Sequence, residues 1–188
     1  MAVTQLDPNT ALIVVDLQKG LMGASLLRPI NEVVARARAL ADRFRELGLP
    51  VVLVNVAGNA PGRTEQPPRY TTPLPSDWIE LIPELNQHPD DIVVTKRTWG
   101  AFASTDLEAQ LRKRGVTQVV ITGVATGTGV ESTARQAYEH GFNVTLAVDA
   151  MTDMRPEAHD YSIGKIFPRL GETGTSTEII DLLNRRSA

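Results

Sequence analysis

Short apolar runs rich in β-branched residues recur along this 188-residue chain, and patterns of helical spacing lie between them. The first run, Thr10–Asp16, is too short for a helix and too uniformly apolar for a strand with one solvent-exposed face. Such a run is typical of a central parallel strand that is covered on both faces. Strands that alternate with helices predict an α/β protein with a parallel sheet and helices on both of its faces. Five strands are predicted, over Thr10–Asp16, Pro50–Val56, Asp91–Lys96, Val116–Val124 and Asn143–Asp149.

The stretches between these strands carry helical signals. Apolar residues from Asn31 to Leu47 recur at helical spacing, with Asn31 as the predicted N-cap. Capping-box patterns at Thr105-x-x-Glu108 and Thr175-x-x-Glu178 predict two further helix starts. Residues 58–76 form the one long irregular stretch, and loops of that length are more often functional than decorative. Further helices are predicted over residues 77–85, 105–114, 130–140, 156–167 and 175–184.

The composition excludes several classes of protein. The chain is 42% hydrophobic and 22% charged, which is ordinary for a globular protein and predicts one domain over residues 1–188. Nineteen basic residues against 22 acidic ones leave no basic field for nucleic-acid binding. The apolar runs are too short to span a bilayer, and the N-terminus lacks a secretory pattern, so we expect a cytoplasmic protein with no membrane partner. The chain has no cysteine, which excludes disulfides, thiolate metal sites and a thiol nucleophile.

Three polar segments follow predicted strands, where open α/β sheets bind their ligands. Asp16 ends the first strand, Lys96 ends the third, and Thr122–Gly129 joins the fourth to a helix. An isolated strand-end Asp is more often a structural ion-pair partner than a catalytic group. A carboxylate and an ammonium that share a partly desolvated edge would instead hold each other oriented, as acid–base catalysis requires. The Gly-rich segment is either a tight turn that needs small residues or a set of amides that holds an anion.

Three ordered motifs resemble the isochorismatase-like hydrolases, also called the cysteine hydrolases. They are Ala11-Leu-Ile-Val-Val-Asp-Leu-Gln18, Thr95-Lys-Arg-Thr-Trp-Gly-Ala-Phe102 and Gly123-Val-Ala-Thr-x-x-x-Val-Glu-Ser-Thr-Ala-Arg135. The resemblance covers nearly the whole chain. It implies a three-layer α-β-α, Rossmann-like fold with a mainly parallel sheet of about six strands, and a cis peptide bond at Val124–Ala125. It also implies a homodimer or homotetramer that acts on a small molecule.

The resemblance assigns roles at the strand ends. Asp16 and Lys96 match the first two members of the family's Asp–Lys–Cys triad, while Gly129 stands at the position of the nucleophilic Cys. The implied chemistry is that of the family branch without the Cys, in which Asp16 protonates the carbon of an enol ether and Lys96 orients it. Thr128 and Ser132 flank this position, but an alcohol nucleophile would need an adjacent base.

The same resemblance supplies candidate substrate contacts. Trp99 and Phe102 would form an apolar wall, and Ala125, Thr126 and Thr128 would contribute from the turn. Arg63, Gln66 and Arg69 on the long loop could meet a substrate carboxylate. The nicotinamidase branch places metal ligands after its second strand, where this chain has Asn55-Val-Ala-Gly-Asn59. We therefore expect no metal and no cofactor.

Two other functions remain open on the sequence alone. The chain could be a non-catalytic small-molecule-binding protein that kept the fold, or an amidase that uses water as its nucleophile with Asp16 as base. Retention of both Asp16 and Lys96 favours catalysis over binding alone.

Overall fold

A six-stranded, wholly parallel sheet organises the protein, in the order β3-β2-β1-β4-β5-β6. The structure is a computed structural model that describes residues 3–66 and 73–186. Its strands are β1 Thr10–Val15, β2 Val51–Val56, β3 Ile92–Lys96, β4 Gln118–Val124, β5 Asn143–Thr152 and β6 Glu172–Gly174. The α/β class that the alternating pattern predicted is confirmed.

Helices lie on both sides of this sheet. They are α1 Ile30–Glu46, α2 Leu107–Lys113, α3 Glu131–Glu139, α4 Pro156–Tyr161, α5 Phe167–Leu170 and α6 Ser176–Arg185. Single 3-10 turns occur at Lys19–Leu21 and Pro83–Leu85, and π-helical turns at Thr126–Val130 and Ser162–Ile166. None of the helices in the described ranges is long and apolar enough to cross a bilayer.

The central strand β1 is buried along its whole length because both faces of the sheet are covered. Leu12 and Val14 point into a core built with α1 and α6, while Ile13 and Val15 point into a core built with α2, α3 and α5. This two-sided burial explains why β1 reads as a continuous apolar run rather than an alternating one.

The sequence misplaced two helix starts. Helix α1 begins at Ile30 after Pro29, so Asn31 is inside the helix and is not its N-cap. Helix α2 begins at Leu107, whose amide donates to Oγ1 of Thr105 at 3.2 Å, so one half of the predicted capping box forms. The other half does not, because the Thr105 amide donates to the carbonyl of Phe102 and the Glu108 carboxylate lies beside Arg112 and His140 instead.

Other helical predictions fared differently. The capping box at Thr175 and Glu178 is confirmed, with both reciprocal hydrogen bonds formed. The helix predicted over residues 77–85 is reduced to the single turn Pro83–Leu85. The helix predicted over residues 156–167 is interrupted by the π-helical turn Ser162–Ile166.

Strand β5 runs to Thr152, three residues past its predicted end at Asp149. The pairing of β4 with β5 shifts register between Ile121 and Gly123, so the two strands continue together to Val124 and Thr152. Asp153 consequently stands at the carboxyl end of a strand, as Asp16 does.

Gly123 is required where β4 passes β1. Its φ of +115° is outside the range that L side chains readily adopt, and a Cβ there would overlap the carbonyl oxygen of Val15. The close approach of these two strands therefore depends on the missing side chain.

We expect Gly123→Ala to lower the free energy of unfolding by about 3 kcal/mol or more, because backbone strain adds to the overlap. Gly62→Ala is the control, since Gly62 is exposed and a Cβ there has no neighbour within 4 Å; it should change stability by less than about 0.5 kcal/mol. Urea denaturation measures both variants. Equal stability of the two would contradict the assigned role of Gly123.

Candidate active site

Asp16 occupies the residue directly after β1, at the carboxyl edge of the sheet. Its backbone has a φ of +56°, a conformation that Asp and Asn tolerate better than other residues with side chains. Its amide donates to the carbonyl of Val54 at 2.8 Å, and its carbonyl accepts from Gln18 at 3.0 Å. The turn thus directs the carboxylate away from the regular alternation of the strand.

Lys96 ends β3 and reaches the Asp16 carboxylate across the intervening strand β2. Its Nζ lies 2.8 Å from Oδ2 of Asp16, and the two side chains are only 2% and 6% exposed. The ammonium also donates to the carbonyls of Trp99 at 2.7 Å and Thr98 at 3.3 Å. Three acceptors match its three N–H donors, so the buried cation is both neutralised and fixed in position.

The third component is the π-helical turn Thr126–Val130, which leads from β4 into α3. A Cβ added at Gly129 would lie 3.1 Å from Oδ2 of Asp16 and 3.2 Å from Cγ1 of Val15. The backbone of the turn therefore passes directly beside the carboxylate. The preceding peptide bond, Val124–Ala125, is cis.

A single hydroxyl ties this turn to the loop that holds Lys96. Thr133 donates its Oγ1 hydrogen to the carbonyl of Gly129 at 2.7 Å and accepts from the amide of Ala101 at 3.2 Å. Because Ala101 closely follows Trp99, whose carbonyl binds Lys96, this contact fixes the turn relative to the ammonium. Sequence reasoning missed Thr133, although it lies within the third motif.

The sheet topology explains why these components meet. The chain builds β2 and β3 on one side of β1 and β4, β5 and β6 on the other. The strand order therefore reverses between β1 and β4, and the crevice at such a switch point is where open α/β sheets bind ligands. Asp16 and the Gly129 turn flank that crevice.

The proposed substrate contacts have different locations. Trp99 is 63% exposed near the pair. Ala125 and Thr126 are buried, Thr128 is half-buried, and the amide of Thr128 donates to the carbonyl of Ala125 at 3.1 Å. Arg63 and Gln66 are exposed on the loop, whereas Arg69 lies outside the described residues.

Phe102 does not form a wall of the site, contrary to the sequence prediction. Its ring centroid lies 5.4 Å from that of His140 and 6.0 Å from that of Phe142. Phe142 precedes β5 and so marks the opposite, amino end of the sheet. Phe102 is only 5% exposed and belongs to the core cluster that also contains residues of α2 and α3.

Gln18 and Trp78 form a polar junction near the same edge that the sequence did not single out. The Gln18 side chain is buried and bridges the backbone of Val56 and Trp78, accepting at 2.6 Å from the Val56 amide. The indole of Trp78 donates to the carbonyl of Val56 at 3.0 Å. These contacts hold the 76–82 segment over the ends of β1 and β2.

Metal ligands do not cluster in the parts of the chain that the structure describes, where no three His, Asp or Glu residues could hold an ion together. Asn55, at the place where the nicotinamidase branch has a ligand, donates its side-chain amide to the carbonyl of Ile79 at 2.9 Å. That contact gives Asn55 a structural role.

The fold and the buried Asp–Lys pair define a Rossmann-like α/β protein with a site at its topological switch point. A family model described as the isochorismatase domain matches residues 10–178, so the chain belongs to the isochorismatase family. Named relatives in this family are hydrolases, and this chain is a hydrolase of that family.

Individual relatives support this assignment. The uncharacterized isochorismatase family protein YecD of Escherichia coli O157:H7 is 43% identical over 181 residues, covering 93% of this chain and 96% of that protein. The isochorismatase of Bacillus subtilis is 30% identical over 189 residues, covering 97% of this chain and 61% of that protein. An isochorismatase family protein from Burkholderia thailandensis has a structure similar at a TM-score of 0.92, with 38% identity over 97% of this chain and 100% of that one.

Breaking the buried pair should be costly. We expect Lys96→Met to lower the free energy of unfolding by about 3–5 kcal/mol, because the Asp16 carboxylate is left buried without its counter-charge. Adding Asp16→Asn should recover part of that loss, since Asn carries no charge and tolerates the positive φ. Urea denaturation of the single and double variants measures the coupling.

Lys19→Met is the matched control for Lys96→Met. The Lys19–Glu80 pair is exposed, with side chains 42% and 54% accessible, so its loss should destabilise the fold far less than the loss of the buried pair. A Lys96→Met variant as stable as Lys19→Met would show that the buried pair contributes nothing to folding.

His159 is a buried group next to the turn. Its Nδ1 shares a 2.8 Å hydrogen bond with Oγ1 of Thr126. Its pKa is lowered from the ordinary value of 6.5, first by burial and then by the charge of Arg28, against the opposing charges of Asp160 and Asp153. The folded protein therefore favours the neutral imidazole.

This lowered pKa predicts that acid weakens the fold. Between the native pKa and the unfolded value of about 6.5, the unfolded chain binds more protons, so the free energy of unfolding falls as the pH is lowered through that window and levels off above it. His159→Asn keeps a donor without titrating and should remove this part of the pH dependence. Denaturation at about pH 7.5 and about pH 5.5 tests this; an unchanged slope in the variant would argue against it.

Proposed function

We propose that this chain hydrolyses a small enol ether by acid catalysis at Asp16, with Lys96 as the charge-stabilising partner and no covalent intermediate. The observation that carries this proposal is the 2.8 Å contact between Oδ2 of Asp16 and Nζ of Lys96 at the switch point of the sheet. Membership of a family that includes the isochorismatase of Bacillus subtilis supports the substrate class.

The composition of the turn supports a route without a thioester. The chain has no cysteine, and the position at which the resemblance places the family nucleophile is Gly129. The distance of 3.1 Å from a Gly129 Cβ to Asp16 Oδ2 means that a side chain there would crowd the carboxylate. Gly129 therefore offers neither a nucleophile nor a side chain that presses on the Asp16 carboxylate.

The proposed reaction begins with proton transfer. The acid form of Asp16, reached when the Asp16–Lys96 pair takes up one proton, gives that proton to the terminal carbon of the enol ether, and the electron pair of the double bond forms the new C–H bond. The ether-bearing carbon becomes an oxocarbenium ion, while Asp16 becomes a carboxylate. The ammonium of Lys96 stabilises the negative charge as it develops, which lowers the barrier to transfer.

Water completes the cycle. It adds to the oxocarbenium carbon and gives a hemiketal, and the proton it releases returns to Asp16. The hemiketal then breaks its original C–O bond while its hydroxyl proton passes to the departing oxygen, giving a ketone and an alcohol. The sum is one substrate and one water converted to two products. Two backbone carbonyls keep Lys96 in place throughout.

Substrate recognition in this proposal uses the groups nearest the pair. The exposed indole of Trp99 would cover an apolar part of the substrate, and the Ala125–Thr128 backbone would face its polar atoms. The carboxylate contacts of Arg63, Gln66 and Arg69 stay predictions, as does the homodimer or homotetramer that the resemblance implies. The proton-transfer step depends on none of these.

The decisive experiment is turnover of isochorismate in D2O, with the pyruvate released followed by mass spectrometry. Protonation at carbon should place one deuterium in the methyl group of pyruvate. Asp16→Asn should lower kcat/KM by at least about 100-fold, because it removes the acid while tolerating the positive φ. Asp90→Asn, at an exposed position, is the matched control and should keep full activity.

Other outcomes would identify the alternatives. Activity that survives Asp16→Asn, or pyruvate with no more deuterium than pyruvate incubated alone, refutes the acid mechanism. Hydrolysis of an amide with 18O from water in the product and no enzyme adduct would support a water-dependent amidase. Saturable binding of the ether without turnover would support a binding protein.

A further inference from the structure

The turn that carries Gly129 is held from outside by the segment that follows β5. The amide of Gly127 donates to Oδ2 of Asp153 at 2.7 Å, and Oγ1 of Thr126 shares a 2.8 Å hydrogen bond with Nδ1 of His159. A third contact, from Oγ of Ser162 to Oε2 of Glu131 at 2.6 Å, joins the same two segments one turn further along. Three side-chain bonds therefore connect residues 126–131 to residues 153–162.

Asp153 is itself rigidly placed. It is only 1% exposed. Its second oxygen, Oδ1, accepts the amide of Arg155 at 3.0 Å, and its carbonyl accepts the amide of Leu27 at 2.8 Å. Both carboxylate oxygens and the carbonyl oxygen of Asp153 thus accept hydrogen bonds. These bonds fix the carboxylate in the position from which it accepts the Gly127 amide.

The turn needs such support because its own sequence is permissive. Thr126-Gly-Thr-Gly-Val130 contains two glycines, which allow many backbone conformations, and no side chain caps the start of the turn. A Cβ at Gly127 would come within 3.0 Å of Cβ of Ala158. The packing against α4 thus favours glycine at the residue whose amide donates to Asp153.

We propose that Asp153 and His159 are positioning residues for the reaction at Asp16. They fix the Thr126–Val130 turn so that the Gly129 backbone keeps its spacing from the Asp16 carboxylate. This inference rests on the proposed function, but it concerns residues that lie outside the Asp–Lys pair and outside the motifs that identify the family.

The spacing at Gly129 makes activity sensitive to this support. A Cβ at Gly129 would lie only 3.1 Å from Oδ2 of Asp16, so the turn can shift very little before the site changes shape. A shift towards Asp16 would fill the space that the substrate needs, and a shift away from it would admit more water. Misplacement of a reacting group by about 1 Å can cost about 100-fold in rate. A distortion at Gly127 would reach Gly129 through the single intervening residue, Thr128.

The first test is Asp153→Asn against Asp149→Asn, with kcat and KM measured for the enol ether. Asn has one acceptor oxygen and so cannot serve both Gly127 and Arg155. Asp149 is a matched control because it lies within β5, four residues before Asp153. It accepts the amide of Ser176 at 2.6 Å and lies near Arg36, so it supports α6 instead of the turn. We expect Asp153→Asn to lower kcat by about 10- to 100-fold with KM changed less than about threefold, and Asp149→Asn to change kcat less than about twofold.

A conservative pair tests the second bond. His159→Asn can still reach Thr126 with a hydrogen-bonding group, so its kcat should stay within about threefold of the parent, whereas His159→Ala should lose about tenfold. A purely structural role would lower the stability of both variants and leave the kcat of the folded fraction unchanged.

The second test does not depend on turnover. Gly129→Cys introduces the only thiol of the chain, beside Asp16, and its rate of alkylation by iodoacetamide reports the position of the turn. Adding Asp153→Asn should change that rate by at least about fivefold, while adding Asp149→Asn should change it less than about twofold.

The two tests separate the two proposals. The proposed function is overturned if the parent protein does not hydrolyse the enol ether. In that case the positioning of the turn is still supported if the alkylation rate of the Gly129→Cys thiol changes with Asp153→Asn and not with Asp149→Asn. The inference is overturned if Asp153→Asn has the same kcat as the parent. It is also overturned if Asp153→Asn and Asp149→Asn change the alkylation rate of the Gly129→Cys thiol equally.

Discussion

The structure depends on one buried ion pair whose two members come from different strands. Asp16 follows β1 and Lys96 ends β3, and β2 separates them in the sheet. Burial of two charges carries a large desolvation cost, which is offset here by the 2.8 Å contact and by two backbone carbonyls that complete the ammonium shell. The pair exists only when β1, β2 and β3 are assembled in register, so the chemistry of the site is a property of the folded sheet rather than of any local motif.

The order of the strands places a crevice beside this ion pair. The strand order reverses between the parallel strands β1 and β4, which places the Gly129 turn beside Asp16, and Gly123 lets β4 approach β1 closely. Thr133 then connects the turn to the Lys96 loop from the inner side, while Asp153 holds it from the outer side. Side chains on both sides therefore fix the backbone around the Asp16 carboxylate.

Most of the fold was accessible from the sequence because buried parallel strands have a strong local signature. Asp16 and Lys96 followed from the same signature, since the carboxyl end of a strand is a local property. Asp153 obeys that rule too, but β5 was predicted to end at Asp149 because Asp149 interrupts its apolar run. The strand continues past it since the register shift with β4 brings Met151 into the sheet.

The direction in which a side chain points could not be predicted where it is determined by packing between elements that are distant in sequence. Phe102 shares a motif with Trp99, yet its ring turns into the core toward His140 and Phe142. Thr133 and His159 lie on helices with ordinary polar patterns, and only the three-dimensional neighbours reveal what their hydrogen bonds connect. Asn31 carried a plausible cap signal that the chain did not use, because α1 begins one residue earlier after Pro29.

The glycine turn beside Asp16 also determines how the site responds to oxidants. Enzymes that attack through a thiolate lose activity when peroxide converts it to sulfenic and then sulfinic acid. Here the neighbouring groups are a carboxylate, an ammonium and backbone amides, none of which follows that oxidation series. Because the chain has no cysteine, that series has no starting point beside Asp16.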